Sequence, residues 1–382
     1  VLLSILILLI LNNCSTSKKL GFWNKDDKDQ QKIENIKTIL TKQIRLEEEF
    51  NSNLYIKISN GKPNQNSLNN QNDTGELAYE GVLEKIGKYN FSKFNDFDFI
   101  SPSPLFYNKN LVFYDNKGEI TVYDENQKTL WKNNFYNKSE KKIRPRLNFA
   151  LKNNILIVTD DVAKYYAINI DTGELLWTKT NIVPFNSNIK IKDDVFYAVD
   201  YKNILRSISI KDGSEIWNLK TEESLTKSNT KISIAHDEKS IYFNNSIGDI
   251  TAVDIKSGQL VWQLPTQNNN ISQNAFQLSN SELVINENTI FFSNNKNEFY
   301  SIDTTTGLIN WKNEISSDLK PVIIGNLVIT ISEKGYLYLV DKKSGNIIRI
   351  NDLFKDYKDK KRRQIKPTGF FIASNKIYVT NS

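Results

Sequence analysis

The chain has 382 residues, of which 39% are hydrophobic and 25% are charged, and its net charge at pH 7 is +6. This composition is too polar for a protein that crosses a membrane many times, and the length fits one large repeat domain or two ordinary domains. The single cysteine, Cys14, and the single histidine, His236, exclude an internal disulfide and a zinc site rich in Cys and His. His236 lies in "AHDEKS", which predicts an exposed hairpin tip rather than a catalytic group.

The first 14 residues, "VLLSILILLILNNC", form an apolar run that ends at Cys14. The run is shorter than the roughly 20 residues of a membrane span and is typical of a secretory signal. The basic lead-in of such signals is missing, so we expect either that a few residues precede this sequence in the natural chain or that its start site is unusual. Leu11, three residues before Cys14, makes the run resemble the lipobox of bacterial lipoproteins. That resemblance implies cleavage before Cys14 and its acylation, for instance by palmitate; an ordinary secretory signal is the alternative.

Residues 15–76 are predicted to be a tether between this anchor and a folded domain at 77–382. Within the tether, residues 31–46 place isoleucine and leucine at helical spacing, which predicts a short amphipathic helix. Residues 59–75 are polar and rich in Asn, which predicts disorder. Ser15, directly after the cysteine, resembles a sorting signal for the outer membrane.

Five of the six tryptophans recur at intervals of about 45 residues, which indicates an internal repeat. They are Trp131, Trp177, Trp217, Trp262 and Trp311. A glycine stands four residues before each of the last four, and a further glycine keeps this place in a sixth copy, where Arg349 replaces the tryptophan. These glycines are Gly173, Gly213, Gly258, Gly307 and Gly345. We expect each indole to pack against a neighbouring sheet, which contributes at most about 4 to 6 kcal/mol; stacking on a ligand is the alternative.

Short runs rich in β-branched and aromatic residues lie between these marks, as in "SIYFNN" and "QLVWQL". Four antiparallel strands in each copy describe a β-propeller blade, so the predicted fold class is all-β. Six copies are expected at about 100–136, 146–180, 186–220, 229–265, 277–314 and 319–352. A seventh begins near residue 366 and stops after two strands, so we expect that the C-terminus is clipped. Residues 77–91 are expected to add an outer strand and close the ring; seven blades are predicted, and eight are the alternative.

"TAVDIKSGQLVW" (251–262) resembles the PQQ-type propeller repeat, which occurs in quinoprotein dehydrogenases and in the BamB family of lipoproteins. For a quinoprotein dehydrogenase, the resemblance implies a much longer chain, often with an adjacent pair of cysteines and a calcium ion bound by carboxylates. This sequence has a single cysteine and no acidic cluster with the spacing of a calcium-binding loop. The sequence therefore predicts no enzyme and no cofactor. A PQQ-dependent dehydrogenase and a periplasmic ligand-binding propeller are the alternatives.

The resemblance to the BamB family implies a lipid-anchored scaffold on the periplasmic face of the outer membrane. It implies binding to the BamA insertase and other subunits of the BAM complex, and help for unfolded outer-membrane proteins. Family contacts fall on loops between blades, so Phe185 and Leu225 are candidate exposed anchors; the alternative is that they belong to the core. The basic run 358–366 is predicted to be a solvated loop, and nucleic acid binding is disfavoured because no basic stripe follows the repeats.

Overall fold

A computed structural model describes residues 71–73, 87–89, 104–223, 230–266, 278–373 and 376–382. All of them belong to one compact unit that spans residues 49–382. The predicted signal sequence, Cys14, the helix predicted over 31–46 and Leu225 lie outside the described residues.

The described chain contains six four-stranded antiparallel sheets, which we call blades 1 to 6, and one two-stranded sheet. The strands of blades 1 to 3 are β1 (Leu105–Tyr107), β2 (Asn110–Tyr114), β3 (Glu119–Tyr123), β4 (Thr129–Asn134), β5 (Leu147–Lys152), β6 (Ile155–Asp160), β7 (Lys164–Asn169), β8 (Leu175–Thr180), β9 (Lys190–Lys192), β10 (Val195–Val199), β11 (Ile204–Ser209) and β12 (Glu215–Lys220).

The strands of blades 4 to 6 are β13 (Ile234–His236), β14 (Ser240–Asn244), β15 (Ile250–Asp254), β16 (Leu260–Leu264), β17 (Val284–Asn286), β18 (Thr289–Asn294), β19 (Glu298–Asp303), β20 (Ile309–Asn313), β21 (Val322–Ile324), β22 (Leu327–Ile331), β23 (Tyr336–Asp341) and β24 (Ile347–Asp352). The two-stranded sheet pairs β25 (Pro367–Ala373) with β26 (Lys376–Asn381). Two helices of one turn complete the described elements: α1 (Glu140–Ile143) and α2 (Asp359–Arg362).

The predicted all-β class and the positions of the six copies are confirmed, because each blade falls within one predicted copy and its strands pair in chain order. The two strands predicted after the sixth copy are also present, as β25 and β26. The number of blades in the complete ring and its closure stay predictions. Of the segment expected to add an outer strand, residues 87–89 are described. They lie beside the β3–β4 turn, where the backbone N–H of Lys88 donates to Gln127 Oε1 at 2.9 Å.

The core lies between neighbouring blades. The two middle strands of each blade are buried almost throughout, as in β6 and β7, whereas the fourth strand is largely exposed, as in β8. A strand covered on both faces carries apolar residues at successive positions rather than in alternation. The sequence "ILIV" of β6 therefore reflects a sheet packed between two others.

The indoles of the fourth strands lie across the gap on the next blade. The indole N–H donates to a backbone carbonyl oxygen of that blade in four cases: Trp131 to Ile170, Trp177 to Ile210, Trp262 to Thr304 and Trp311 to Lys342. Each ring also covers a glycine in the turn between the third and fourth strands. At Gly258, where φ is +71°, a Cβ would lie 2.5 Å from Cδ2 of Trp217. The glycine is needed both for the positive φ and for the approach of the ring.

Strand direction divides the loops between two faces. Because successive strands are antiparallel, the turns between the second and third strands lie on the same face as the connections between blades. We call this the interblade face. The other face carries the remaining turns, including the one at Gly258.

Candidate interaction site on the interblade face

The connection between blades 2 and 3, residues 181–189, is fastened to both sheets. On the side of blade 2, the N–H of Asn181 donates to the carbonyl of Ala163 at 2.7 Å, and that of Phe185 donates to the carbonyl of Asp160 at 3.0 Å. On the side of blade 3, the N–H of Tyr201 donates to the carbonyl of Pro184 at 3.0 Å. A loop held at both ends presents its remaining side chains in fixed positions.

Phe185 belongs to the core. It is 1% exposed, and its ring centroid lies 5.6 Å from that of Tyr165 in an edge-to-face arrangement. The candidate exposed anchor at Phe185 is therefore wrong, and the alternative, that Phe185 belongs to the core, is confirmed. The backbone bonds of the loop direct this ring into the space between blades 2 and 3, where a large apolar side chain contributes most when it is buried.

Ile182 is the exposed apolar residue of this loop. It is 93% exposed and lies between the turns 160–163 and 200–203. Ile143, on the preceding interblade connection, is 65% exposed. The sequence contains no signal that separates the outward Ile182 from the inward Phe185, because both are apolar residues in one short loop that also contains Pro184.

Charged and aromatic groups lie on the connections and turns of the same face. The backbone N–H of Arg146 donates to Asp161 Oδ1 at 2.8 Å, and the Arg146 Nε lies 3.9 Å from Asp161 Oδ2. Burial raises the pKa of Tyr201, and the nearby Asp161 carboxylate adds to this effect. We call the surface formed by Ile143, Arg146, Asp161, Ile182 and Tyr201 the interblade patch.

A buried polar cluster supports the patch from beneath. Tyr136 donates its hydroxyl to Asp160 Oδ2 at 2.5 Å, and the other carboxylate oxygen accepts the backbone N–H groups of Val162 and Lys164. Burial raises the pKa of Asp160 to about 6, although these hydrogen bonds oppose the shift. The carboxylate thus holds the turn that receives the 181–189 loop, and this role is structural.

His236 is buried at the end of β13, so the expectation that it is exposed is wrong. The hairpin tip predicted there consists of the residues that follow it. Its Nδ1 lies 2.9 Å from the carbonyl oxygen of Asp237 and its Nε2 lies 3.3 Å from that of Ile191. Burial lowers the pKa of the imidazole, so the ring is neutral at pH 7. His236 lies on β13 beside β9, the first strand of the preceding blade, and the local sequence does not reveal this neighbour.

The basic run 358–366 is partly engaged in ion pairs. Arg362 lies 2.6 Å from Asp352, and Lys366 lies 3.2 Å from Asp318. Lys360 and Arg363 are exposed, in agreement with a solvated loop.

The described ranges contain no group of three or more His, Cys, Asp or Glu side chains placed to hold a metal ion. No described helix has the length and hydrophobicity of a transmembrane segment.

The family model described as "Outer membrane protein assembly factor BamB" matches residues 116–351, more than half of the chain. The chain is 23% identical over 197 residues to the BamB of Shewanella oneidensis, a match that covers 50% of this chain and 49% of that one. It is 21% identical over 179 residues to the BamB of Legionella pneumophila, covering 44% and 43% of the two chains. The matches thus span about half, or less, of these curated relatives.

Among solved structures, the crystal structure of BamB from Moraxella catarrhalis is similar, with a TM-score of 0.56 and 15% identity. The similarity covers 73% of this chain and 81% of that chain, and it supports the propeller fold. The family match covers two of the four strands of blade 1 and extends through blades 2 to 6, so it falls on the repeat region. The chain belongs to the family of the outer membrane protein assembly factor BamB.

Proposed function

We propose that this protein is a non-catalytic scaffold for the assembly of outer-membrane proteins, and that it binds a BamA-like barrel-forming insertase through the interblade patch. Other subunits of the BAM complex and unfolded outer-membrane proteins are the further partners of this proposal. The family membership supports the role in assembly, and the interblade patch supplies the contact surface.

The observation that carries the proposal is the exposure of Ile182 on a loop fastened at both ends. Residues that dominate a protein–protein interface are well-packed anchors whose position is fixed before binding. Burying an isoleucine side chain in a partner contributes about 1.5 to 3 kcal/mol. Arg146 and Tyr201 belong to types that are enriched at such interfaces, and they border the anchor.

The test is co-purification of the barrel-forming insertase with this protein in mild detergent, comparing wild type with Ile182→Asp. An aspartate at a position that is 93% exposed leaves stability within about 0.5 kcal/mol, whereas it places an unpaired charge in the interface. We expect at least about a tenfold loss of recovered insertase, the loss that about 1.4 kcal/mol of binding energy produces.

The matched control is Leu308→Asp, which introduces the same charge at a residue that is 69% exposed on the opposite face. This variant is expected to recover the insertase as wild type does. Equal recovery with both variants would refute the interblade patch, and recovery of no barrel-forming protein by wild type would refute the scaffold.

We also propose that Cys14 carries the lipid anchor at the periplasmic face of the outer membrane. Several acyl chains on one cysteine hold a protein at a membrane through about 0.8 kcal/mol for each buried methylene. Cys14→Ala is therefore expected to move the protein from the membrane pellet to the supernatant after a salt wash. Retention of the variant in the pellet, measured by immunoblot against wild type, would contradict the anchor.

A further inference from the structure

Residues 71–73 lie on the first strands of blades 3, 4 and 5, although the sequence places them in a stretch predicted to be disordered. Asn72 is 3% exposed. The first strands of these blades, β9, β13 and β17, approach one another and form a wall. The segment is therefore packed against three blades that follow it by more than 100 residues in the chain.

The carboxamide of Asn72 is hydrogen-bonded to β9, to β13 and to the residue that precedes β17. Its Nδ2 donates to the carbonyl oxygen of Leu283 at 2.8 Å and to that of Ile234 at 3.0 Å. Its Oδ1 accepts from Lys190 Nζ at 2.5 Å. Both amide hydrogens and the amide oxygen thus have a partner, which a buried polar side chain requires.

The neighbours of Asn72 extend this recognition along β17. The N–H of Ile285 donates to the carbonyl oxygen of Gln71 at 2.8 Å, and Asn286 Nδ2 donates to Asp73 Oδ2 at 2.7 Å. β17 is the edge strand of its sheet, and such edges offer backbone groups to an added chain. The segment uses this edge as a bound peptide would.

The arrangement favours asparagine over its closest analogues. Aspartate would set a carboxylate against the carbonyl oxygens of Ile234 and Leu283, glutamine is one methylene longer, and alanine removes all three hydrogen bonds of the carboxamide. The backbone of Asn72 has a φ of 58°, a region that asparagine enters more readily than most residues. Side chain and backbone therefore select the same residue type.

Lys190 provides the charge at this site. Its side chain is almost fully buried on β9, and Glu282, Lys320 and Lys231 contribute to the local field. Burial lowers the pKa of its ammonium to about 7. A cation in such surroundings requires hydrogen-bond acceptors, and Asn72 Oδ1 is one of them.

We propose that the first strands of blades 3 to 5 form a binding site for an asparagine within a short peptide, and that the chain fills this site in cis with Gln71, Asn72 and Asp73. The docked segment fixes the position of residues 71–73 on these strands. The chemical class of ligand is a peptide with a carboxamide at its centre and a free backbone carbonyl before it.

The site is connected to solvent. Gln71 lines a groove of about 740 Å³ together with Glu238, Lys239 and Glu287, three residues with exposed side chains. A peptide supplied from outside can therefore reach the wall when the internal segment is displaced.

The first experiment measures hydrogen exchange at the amide of Ile285 in the full chain. Asn72→Ala and Asn72→Asp are expected to raise its exchange rate at least tenfold, because Gln71 no longer holds the N–H. The matched control is Asn153→Ala, which removes an exposed asparagine with a similar φ of 53°. Unchanged protection of the central strands of blade 2 verifies the fold. Protection of Ile285 equal to wild type in both Asn72 variants would overturn the proposal.

The second experiment asks whether the site accepts a peptide in trans. A synthetic peptide of residues 66–78 is titrated into the full-length Asn72→Ala protein, and the same peptide with alanine for Asn72 serves as its control. We expect the natural peptide to bind the Asn72→Ala protein at least tenfold more tightly than the substituted peptide does. The natural peptide should bind wild type at least tenfold more weakly than it binds Asn72→Ala, because the site is already filled in wild type. Equal binding of the two peptides, or binding of neither, would overturn the assignment of an asparagine site.

Discussion

Blades 2 to 6 carry a glycine in the turn between their third and fourth strands, whereas blade 1 carries Gln127 in the corresponding turn. All of these residues have a positive φ, and that of Gln127 is 66°. The two kinds of turn differ in the residues that pack on them. An indole of the preceding blade covers each glycine, while the described residues that approach Gln127 are those at 87–89.

Blade 6 shows the complementary case, in which the tryptophan of the fourth strand is missing. Arg349 occupies the place of the tryptophan and is exposed, and the described strands that follow it, β25 and β26, contain no turn between a third and a fourth strand. Among the described blades, the fourth strand without an indole is thus the one that faces no described glycine turn. Tryptophan and glycine are thus two halves of one contact between blades.

The largest effect is expected from removal of an indole. Trp262→Ala deletes a ring that packs on Gly307 and donates to Thr304, so the free energy of unfolding should fall by about 3 to 4 kcal/mol. Urea denaturation followed by circular dichroism measures the change. Trp262→Phe, which keeps an aromatic ring without the N–H donor, is expected to lose about 1 kcal/mol. Equal losses for the two variants would show that ring packing contributes nothing.

A smaller effect is expected at the glycine half of the contact. Gly258→Ala adds a Cβ 2.5 Å from the Trp217 ring at a φ of +71°, and about 2 to 3 kcal/mol of stability should be lost. Gly325→Ala is the control, since φ there is +56° and no atom lies within 4 Å of the added Cβ. It should lose about 1 kcal/mol through backbone strain alone. If both variants lost the same amount by urea denaturation, approach of the indole would not be the reason for glycine.

The smallest effect is expected where the neighbouring turn is missing. Arg349→Trp restores the repeat motif in blade 6, yet it should change the free energy of unfolding by less than about 0.5 kcal/mol, because the ring has no glycine turn to cover. Urea denaturation alongside wild type provides the measurement. A gain of 2 kcal/mol or more would show that the two-stranded sheet offers a surface equivalent to that of a complete blade.

Much of the fold follows from local patterns in the sequence. A strand of β-branched residues bounded by turn residues pairs with its neighbour in the chain, so the position of each blade could be predicted from the spacing of the turns and tryptophans. The candidate sites could be predicted only in part. The sequence pointed to the connection that contains Phe185, but it did not point to Ile182, because the exposed side chain is decided by which residue the gap between two sheets accepts.

The repeat, the four strands of each copy and the two strands after the sixth copy follow from the sequence alone, because they depend on contacts between residues close in the chain. The environments of Phe185, His236 and Asn72 depend instead on the tertiary fold. Asn72 binds carbonyl oxygens 162 and 211 residues away, and His236 lies beside Ile191 of another blade. The burial of a loop residue is set by partners that the fold brings from distant positions, and no local pattern records them.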